Sequence, residues 1–275
     1  MKKSQLALII IGLAAVVALY SLPKIVVDNE AGTTEVADSN AENTTTPDVA
    51  QLHESELSAD LQSQINSLKL VLAQDGSDEE RILAGKSISE IFQSQGIFDS
   101  AAFYIDQVLS ISPSDLVLIE EAGKAYYEAF SFALDKNKVE ALAEKTRTYL
   151  NRVVENDPSR LDLKSKVAMT YVSSANPMQG ITMLREILDQ DPTNEDGLFN
   201  MGILSMQSGQ YDRAASRFEE LIKYHPENLQ GQFYLAISYF ESKERNKAKA
   251  QFEAVQQMTQ DPMILESVRS YLEKL

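Results

Sequence analysis

Apolar residues along this chain follow three patterns, which change near residues 28 and 56. Residues 6–22 form an apolar run interrupted only by Gly12, Tyr20 and Ser21. Residues 28–55 hold almost no large apolar side chains. From residue 56 onward, apolar residues recur three or four positions apart, which is the period of an amphipathic helix. The first such stripe predicts a helix over residues 56–72, and it consists of Leu57, Leu61, Ile65, Leu68 and Leu72.

The apolar run predicts a single transmembrane helix within residues 1–27. Its 17 residues would span roughly 26 Å as a helix, close to the lower limit for crossing a bilayer. The residues expected to contact lipid are Leu6, Leu8, Ile9, Ile10, Ile11, Leu13, Val16, Val17, Leu19 and Leu22. A cleaved signal peptide is the alternative, but residues 18–24 contain no A-x-A cleavage site, so an uncleaved anchor is favoured. Lys2 and Lys3 are expected to place the N-terminus in the cytoplasm and the rest of the chain outside, which in a Gram-negative cell is the periplasm.

Residues 28–55 have the composition of a disordered acidic linker. No basic residue occurs between Lys24 and Lys69, whereas nine acidic residues do. Such a segment buries too little apolar surface to offset the loss of chain entropy on folding. The whole chain carries a net charge of −16 from 41 acidic and 25 basic residues. That charge repels phosphate backbones, so nucleic acid is not expected as a partner.

Residues 56–275 contain an internal repeat. Pro158, Pro192 and Pro226 follow one another at equal intervals, and we call this interval the repeat period. Four further positions recur at the same period: Ala168, Gly202 and Ala236; Gly180, Ala214 and Ala248; Leu184, Phe218 and Phe252; Ile187, Leu221 and Val255. The small residues allow two helices to cross closely, the large ones fill the space beside the crossing, and proline ends the second helix. The repeat therefore predicts stacked helical hairpins.

Five hairpins and a terminal helix account for this region. The hairpins are predicted over residues 82–115, 116–160, 161–194, 195–228 and 229–262, with a capping helix over residues 263–275. The second is 11 residues longer than the others, close to three helical turns, and its turn is predicted near Asp135. The expected fold is all-α, with about five hairpins in a solenoid.

The repeat resembles the tetratricopeptide repeat (TPR). The clearest copy of the signature consists of Leu198, Met201, Gly202, Gly209, Tyr211, Ala214, Phe218 and Pro226. The resemblance implies a superhelix whose inner face, built from the first helix of each repeat, binds peptides or helices. The apolar inner positions that it implies are Met169, Val172, Phe199, Ile203, Met206, Phe233, Ile237 and Phe240. Two interpretations stay open: these residues form an open groove, or the chain's own helices cover them.

No constellation for catalysis, metal binding or cofactor binding is visible in the sequence. The chain has no cysteine, which excludes disulfides, a lipoprotein cysteine and a thiol nucleophile. The two histidines, His53 and His225, belong to no acid–base motif, and both are expected to be solvated. Residues 189–197 superficially resemble a calcium loop, but they lack its sixth-position glycine and twelfth-position glutamate. We expect no enzyme activity, no metal and no cofactor.

The expected function is protein binding by a membrane-anchored scaffold. The order of anchor, acidic linker and TPR array resembles the membrane-anchored TPR partner of the bacterial Sec translocon. That resemblance implies an accessory of protein translocation or envelope protein folding, with membrane-complex subunits or client polypeptides as partners. The alternatives are a structural scaffold of another envelope machine (division, secretion or cell-wall synthesis) and an apocytochrome c-binding maturation factor.

Overall fold

A computed structural model describes residues 57–74 and 76–275, and this part of the chain is helical with no strand. The predicted anchor, the acidic linker and His53 lie outside the described residues. The helices are α1 (Ala59–Ala73), α2 (Asp78–Ser94), α3 (Phe98–Ile111), α4 (Leu116–Phe132), α5 (Lys136–Asn156), α6 (Leu161–Val172), α7 (Pro177–Gln190), α8 (Glu195–Gln207), α9 (Tyr211–Tyr224), α10 (Leu229–Glu241), α11 (Arg245–Met258) and α12 (Pro262–Leu272).

The described residues form two compact units in sequence order. The first ends at Gln107 and the second is Val108–Leu275. In the first unit, Ile65 of α1 packs with Ile88 and Phe92 of α2. Phe92 stacks on Tyr104 of α3 with 5.6 Å between ring centroids. The Ser89 hydroxyl group donates a hydrogen bond to the Ala101 carbonyl oxygen at 2.8 Å, so α2 and α3 form a hairpin.

In the second unit, each hairpin is held by a large side chain packed against a small residue. The Phe218 ring of α9 lies over Gly202 of α8, where an added Cβ atom would stand 2.6 Å from the ring. Phe218 and its counterpart in the next repeat, Phe252, are both fully buried. Each hairpin also packs on the next, as α7 does on α8 and α9 on α10. The stacked hairpins predicted from the repeat are therefore confirmed.

Polar caps and prolines set where the helices begin and end. Asn194 and Asn228, which occupy the same repeat position, accept hydrogen bonds from the backbone N–H groups of Gly197 and Gly231 at 2.9 and 2.6 Å. These bonds satisfy N–H groups that lack a partner in the first helical turn. Helices α5, α7 and α9 each end two residues before Pro158, Pro192 or Pro226. Proline cannot continue a helix, so these ends follow from the sequence.

The long second hairpin is confirmed, and its extra length lies in both helices. Helix α4 has 17 residues and α5 has 21, whereas the corresponding α8 and α9 have 13 and 14. The turn falls at residues 133–135, where the Asp135 carboxylate caps α5 by accepting from the Lys138 N–H group at 2.9 Å. Other bounds shift slightly: α1 begins at Ala59, α2 begins at Asp78 rather than residue 82, and α12 begins at Pro262.

Within residues 57–74 and 76–275, no helix has the length and apolarity needed to cross a bilayer.

Candidate functional site

A charged network joins the first helices of the second and third hairpins. The Arg160 guanidinium group, just before α6, donates to both carboxylate oxygens of Glu120 on α4 at 2.7 and 2.8 Å. It also donates to Asp162 at 3.0 and 2.9 Å. Lys124 pairs with Glu120 at 2.5 Å. The hydrogen bonds from Arg160 are the main reason that the pKa of Glu120 falls to about 2 and that the pKa of Asp162 is also lowered.

The network continues toward α8 through Lys166. The Lys166 Nζ atom lies 5.1 Å from the centroid of the Tyr127 ring, in the geometry of a cation–π contact. Desolvation raises the pKa of Tyr127 to about 12 and raises the pKa of Asp196, which Lys166 partly offsets. The Asn200 side-chain N–H group donates to the Ser165 hydroxyl oxygen at 3.0 Å. These contacts give the α4, α6 and α8 side of the second unit alternating positive and negative charge.

The predicted groove residues on α6 and α8 are partly exposed beside this network. Met169, Val172, Ile203 and Met206 are all half-buried. Met169 packs on the buried cluster of Ala168, Leu184 and Ile187. Large apolar side chains that keep part of their surface in water, next to charged groups, are typical of protein-binding surfaces.

Phe199 contributes both to this surface and to the packing between hairpins. Its ring is half-buried and makes edge-to-face contacts with Phe218 at 6.0 Å and with Tyr234 at 5.7 Å. Tyr234 in turn stacks on Phe218. Phe199 is therefore fixed in place by two neighbouring aromatic rings.

Two of the three predicted groove residues on α10 are covered by the chain itself, and the third, Phe240, is half-buried. Phe233 and Ile237 are buried, with 6 % and 4 % of their surface exposed. The ring of Tyr271 on α12 lies 6.4 Å from that of Phe233 and 5.2 Å from that of Phe240. At α10, the geometry thus favours the interpretation in which the chain's own helix covers the groove. An open surface remains on α6 and α8.

His225 has a structural contact that the sequence analysis did not anticipate. Its Nε2 atom lies 2.8 Å from the Thr193 carbonyl oxygen, and its Nδ1 atom lies 3.6 Å from Glu195. The expectation that His225 is solvated is wrong, because the ring is part-buried and links the turns that precede α8 and α10. In the calcium-like segment, Asp191 accepts hydrogen bonds from the Thr193 N–H and hydroxyl groups at 3.0 and 2.8 Å. The Asp191 carboxylate therefore stabilises the turn between α7 and α8.

Comparison with known proteins agrees with the fold of stacked helical hairpins. Residues 205–266 match the family model described as "Tetratricopeptide repeat". No curated protein sequence matches the chain.

Solved structures resemble the fold at low sequence identity. A tetratricopeptide repeat protein from Parabacteroides merdae is 19 % identical, with 82 % of each chain covered and a TM-score of 0.56. TTC0263, a thermophilic TPR protein of Thermus thermophilus, is 14 % identical, with 70 % of this chain and 98 % of that chain covered and a TM-score of 0.53. The fold is therefore that of TPR proteins, and the family model supports the tetratricopeptide-repeat family over residues 205–266.

Proposed function

We propose that this protein is a non-enzymatic scaffold that binds a partner protein on the exposed side of α6 and α8. The observation that carries the proposal is the row of half-exposed Met169, Val172, Ile203 and Met206 beside the Arg160–Glu120–Asp162 network. Methionine side chains adapt to partners of different shape. A partner helix with one apolar stripe and flanking charges of both signs is complementary to this surface.

The proposed location is the inner membrane, with the repeat array in the periplasm. This part of the proposal rests on the sequence alone: the apolar run at residues 6–22, Lys2 and Lys3 before it, and the acidic segment after it. In that position the array would serve protein translocation or envelope protein folding, bound to subunits of a membrane complex or to client polypeptides. Digestion of the array by protease added to spheroplasts, but not to intact cells, tests this location.

Co-purification of the full-length protein from its own membranes in mild detergent tests the scaffold proposal. Met206→Glu introduces a charge into the exposed apolar row and is expected to reduce partner recovery about tenfold or more. Met178→Glu is the matched control, because Met178 is 55 % exposed on α7 and lies outside the row. Equal recovery of the same partners with both variants would contradict the proposed surface.

A further inference from the structure

One repeat position holds an aromatic residue in every hairpin except that of α8 and α9. Phe92 and Tyr126 are one repeat period apart, and Tyr171, Ser205 and Tyr239 follow one another at the same period. The 11 residues added to the second hairpin explain the longer interval between Tyr126 and Tyr171. Ser205 thus stands where the neighbouring hairpins have a phenol ring.

In the α10–α11 hairpin, the tyrosine at this position is enclosed by the chain's own side chains. Tyr239 is 8 % exposed, and its hydroxyl group donates to the Glu219 carboxylate at 2.5 Å. The Lys247 Nζ atom lies 5.0 Å from the centroid of its ring. Tyr171 of α6 lies beneath the guanidinium group of Arg147, which comes from the preceding helix α5, at 5.0 Å. Both rings therefore lie beneath a cation of a neighbouring helix.

The place around Ser205 keeps a cation on the following helix, but it lacks the ring and has an arginine instead of the carboxylate on the preceding helix. Arg213 precedes Lys247 by one repeat period, and Arg185 precedes Glu219 by the same interval. A cleft of about 490 Å³ opens at this place, lined by Ser205, Arg185, Arg213 and Arg217 over a floor of Ile181, Met201 and Leu204. The volume is in the range of sites that bind ligands.

The cleft is positively charged in a chain whose net charge is −16. Arg185 forms no ion pair with another described residue, and Arg213 donates to the neutral Gln210 side chain at 2.6 Å. Arg217 shares its charge with Glu220 at 3.6 Å, where both side chains are 41 % exposed. At the equivalent place beside Tyr239, the negative charge comes from Glu219 on the preceding helix, α9. The lining of the α8–α9 cleft therefore contains three guanidinium groups and no carboxylate.

The cleft lies on the opposite side of α8 from the surface that we propose for the scaffold function. At about 100° per residue, Met201, Leu204 and Ser205 point away from Phe199, Ile203 and Met206. A ligand in the cleft therefore leaves the exposed row on α6 and α8 free.

We propose that this cleft binds an acidic segment of a partner protein, which inserts an aromatic side chain over Ser205 and places carboxylates against Arg185, Arg213 and Arg217. The inserted ring replaces the tyrosine that Tyr171 and Tyr239 supply in the adjacent hairpins. The carboxylates take the role beside Ser205 that Glu219 has beside Tyr239. Arginine binds carboxylates through paired N–H donors, which favours this pairing over a neutral ligand.

A peptide segment fits the charge distribution better than a single small acid does. Arg213 and Arg217 lie one turn apart on α9, which is about 6 Å along the axis, and Arg185 comes from α7. Several carboxylates on one extended chain reach all three guanidinium groups at once.

The binding test uses a fluorescently labelled Glu-Asp-Tyr-Glu-Asp peptide and the purified full-length protein, followed by fluorescence anisotropy. We expect micromolar affinity that weakens as salt is added. Replacing the peptide's tyrosine by alanine is expected to weaken binding about tenfold, and replacing its acidic residues by lysine to abolish it. Binding of N-acetyltyrosine as tightly as the peptide, or equal binding of the alanine and tyrosine peptides, would overturn the proposal.

Two variants of the protein locate the binding. Ser205→Tyr fills the cleft as the neighbouring hairpins do, and Arg185→Glu introduces a carboxylate at the position on α7 that is equivalent to Glu219 on α9. Each is expected to weaken binding at least about tenfold. Lys249→Glu is the control, because Lys249 is exposed on α11 and this substitution makes the same change in net charge as Arg185→Glu. Unchanged binding by Ser205→Tyr and Arg185→Glu would place the peptide elsewhere and overturn the proposal. Neither variant alters the Met206 surface, so this result is separate from that of the scaffold test.

Discussion

The α8–α9 and α10–α11 hairpins have the same internal packing. Phe218 and Phe252, at the same repeat position, are both fully buried. Each ring stacks on an aromatic residue of the helix that follows, Phe218 on Tyr234 and Phe252 on Tyr271, at 5.9 and 5.0 Å between centroids. The interior of the repeat is therefore alike in the two copies.

The surfaces of the two hairpins differ on both sides. On one side, Phe199 and Ile203 of α8 are half-buried, whereas their counterparts Phe233 and Ile237 of α10 are buried. On the other side, Ser205 opens the cleft that Tyr239 closes in α10. The comparison shows that the buried positions of a repeat specify the fold, while a few positions around them decide which surface stays available for binding.

The largest effect is expected when the shared core is removed. Phe218→Ala and Phe252→Ala each leave a cavity at a fully buried position and are expected to lower the free energy of unfolding by about 3–5 kcal/mol. Denaturant unfolding followed by circular dichroism measures both. A much smaller loss for Phe218 than for Phe252 would contradict the view that the two cores are equivalent.

The next effect concerns the repeat position that Ser205 and Tyr239 share. Tyr239→Ser removes an enclosed ring and its hydrogen bond to Glu219, so we expect a loss of about 2–4 kcal/mol in the free energy of unfolding. Ser205→Tyr, the reverse change in the other hairpin, is expected to leave that free energy unchanged or slightly raised. Equal destabilisation by both substitutions in denaturant unfolding would contradict the view that Ser205 leaves open a cleft that Tyr239 fills in the next hairpin.

A smaller loss is expected when the cover over α10 is truncated. Tyr271→Ala removes a ring that contacts Phe233, Phe240 and Phe252, and it should cost about 1–2 kcal/mol because the ring is only partly buried. Hydrogen exchange should become faster in α10 and α11 while α8 keeps its wild-type rate. Faster exchange in α8 to the same degree would show that Tyr271 stabilises both hairpins and not α10 in particular.

The smallest effect concerns the ion pair between Arg160 and Glu120, beside the exposed row on α6 and α8. The pKa of Glu120 is about 2 against an ordinary 4.5, so its pairing with Arg160 stabilises the fold fully above pH 4.5 and is lost as the pH falls toward 2. Arg160→Gln is expected to cost about 1 kcal/mol at neutral pH, and the difference from wild type should shrink over that range.

A matched variant checks the origin of this pH dependence. Arg269→Gln removes a pair with Glu266 in which both side chains are largely exposed, so its effect should be near zero at every pH. Unfolding free energies at a series of pH values compare the two. A constant difference between Arg160→Gln and wild type would rule out Glu120 as its source.

The helical hairpins could be predicted from the sequence because small and large residues recur at fixed intervals. Gly202 and Phe218 indicate a close helix crossing by their types and spacing alone, and the structure places them in contact. Pro192 and Pro226 likewise mark helix ends directly. Asn194 and Asn228 cap helices through bonds within three residues, which is a local effect of sequence.

The exposure of the candidate site could not be predicted in the same way. Phe199 and Phe233 are the same residue type at the same repeat position, and their burial depends on which helix follows. The contact of His225 with Thr193 spans 32 residues and depends on how the turns stack. The sequence does contain one signal of the cleft, because Ser205 breaks the series that Tyr171 and Tyr239 define.

Site-directed crosslinking tests the central claim, that a partner docks on α8 and not on the covered α10. The chain has no cysteine, so Met206→Cys and Phe240→Cys, at equivalent repeat positions, each carry a single thiol for benzophenone maleimide. After illumination of full-length protein in its own membranes, we expect Met206→Cys to crosslink to a specific protein. The same crosslink should be much weaker from Phe240→Cys, and it should be lost from Met206→Cys when Ile203→Glu is added. Equal crosslinking to that protein from both positions, or crosslinking that persists with Ile203→Glu, would contradict the central claim.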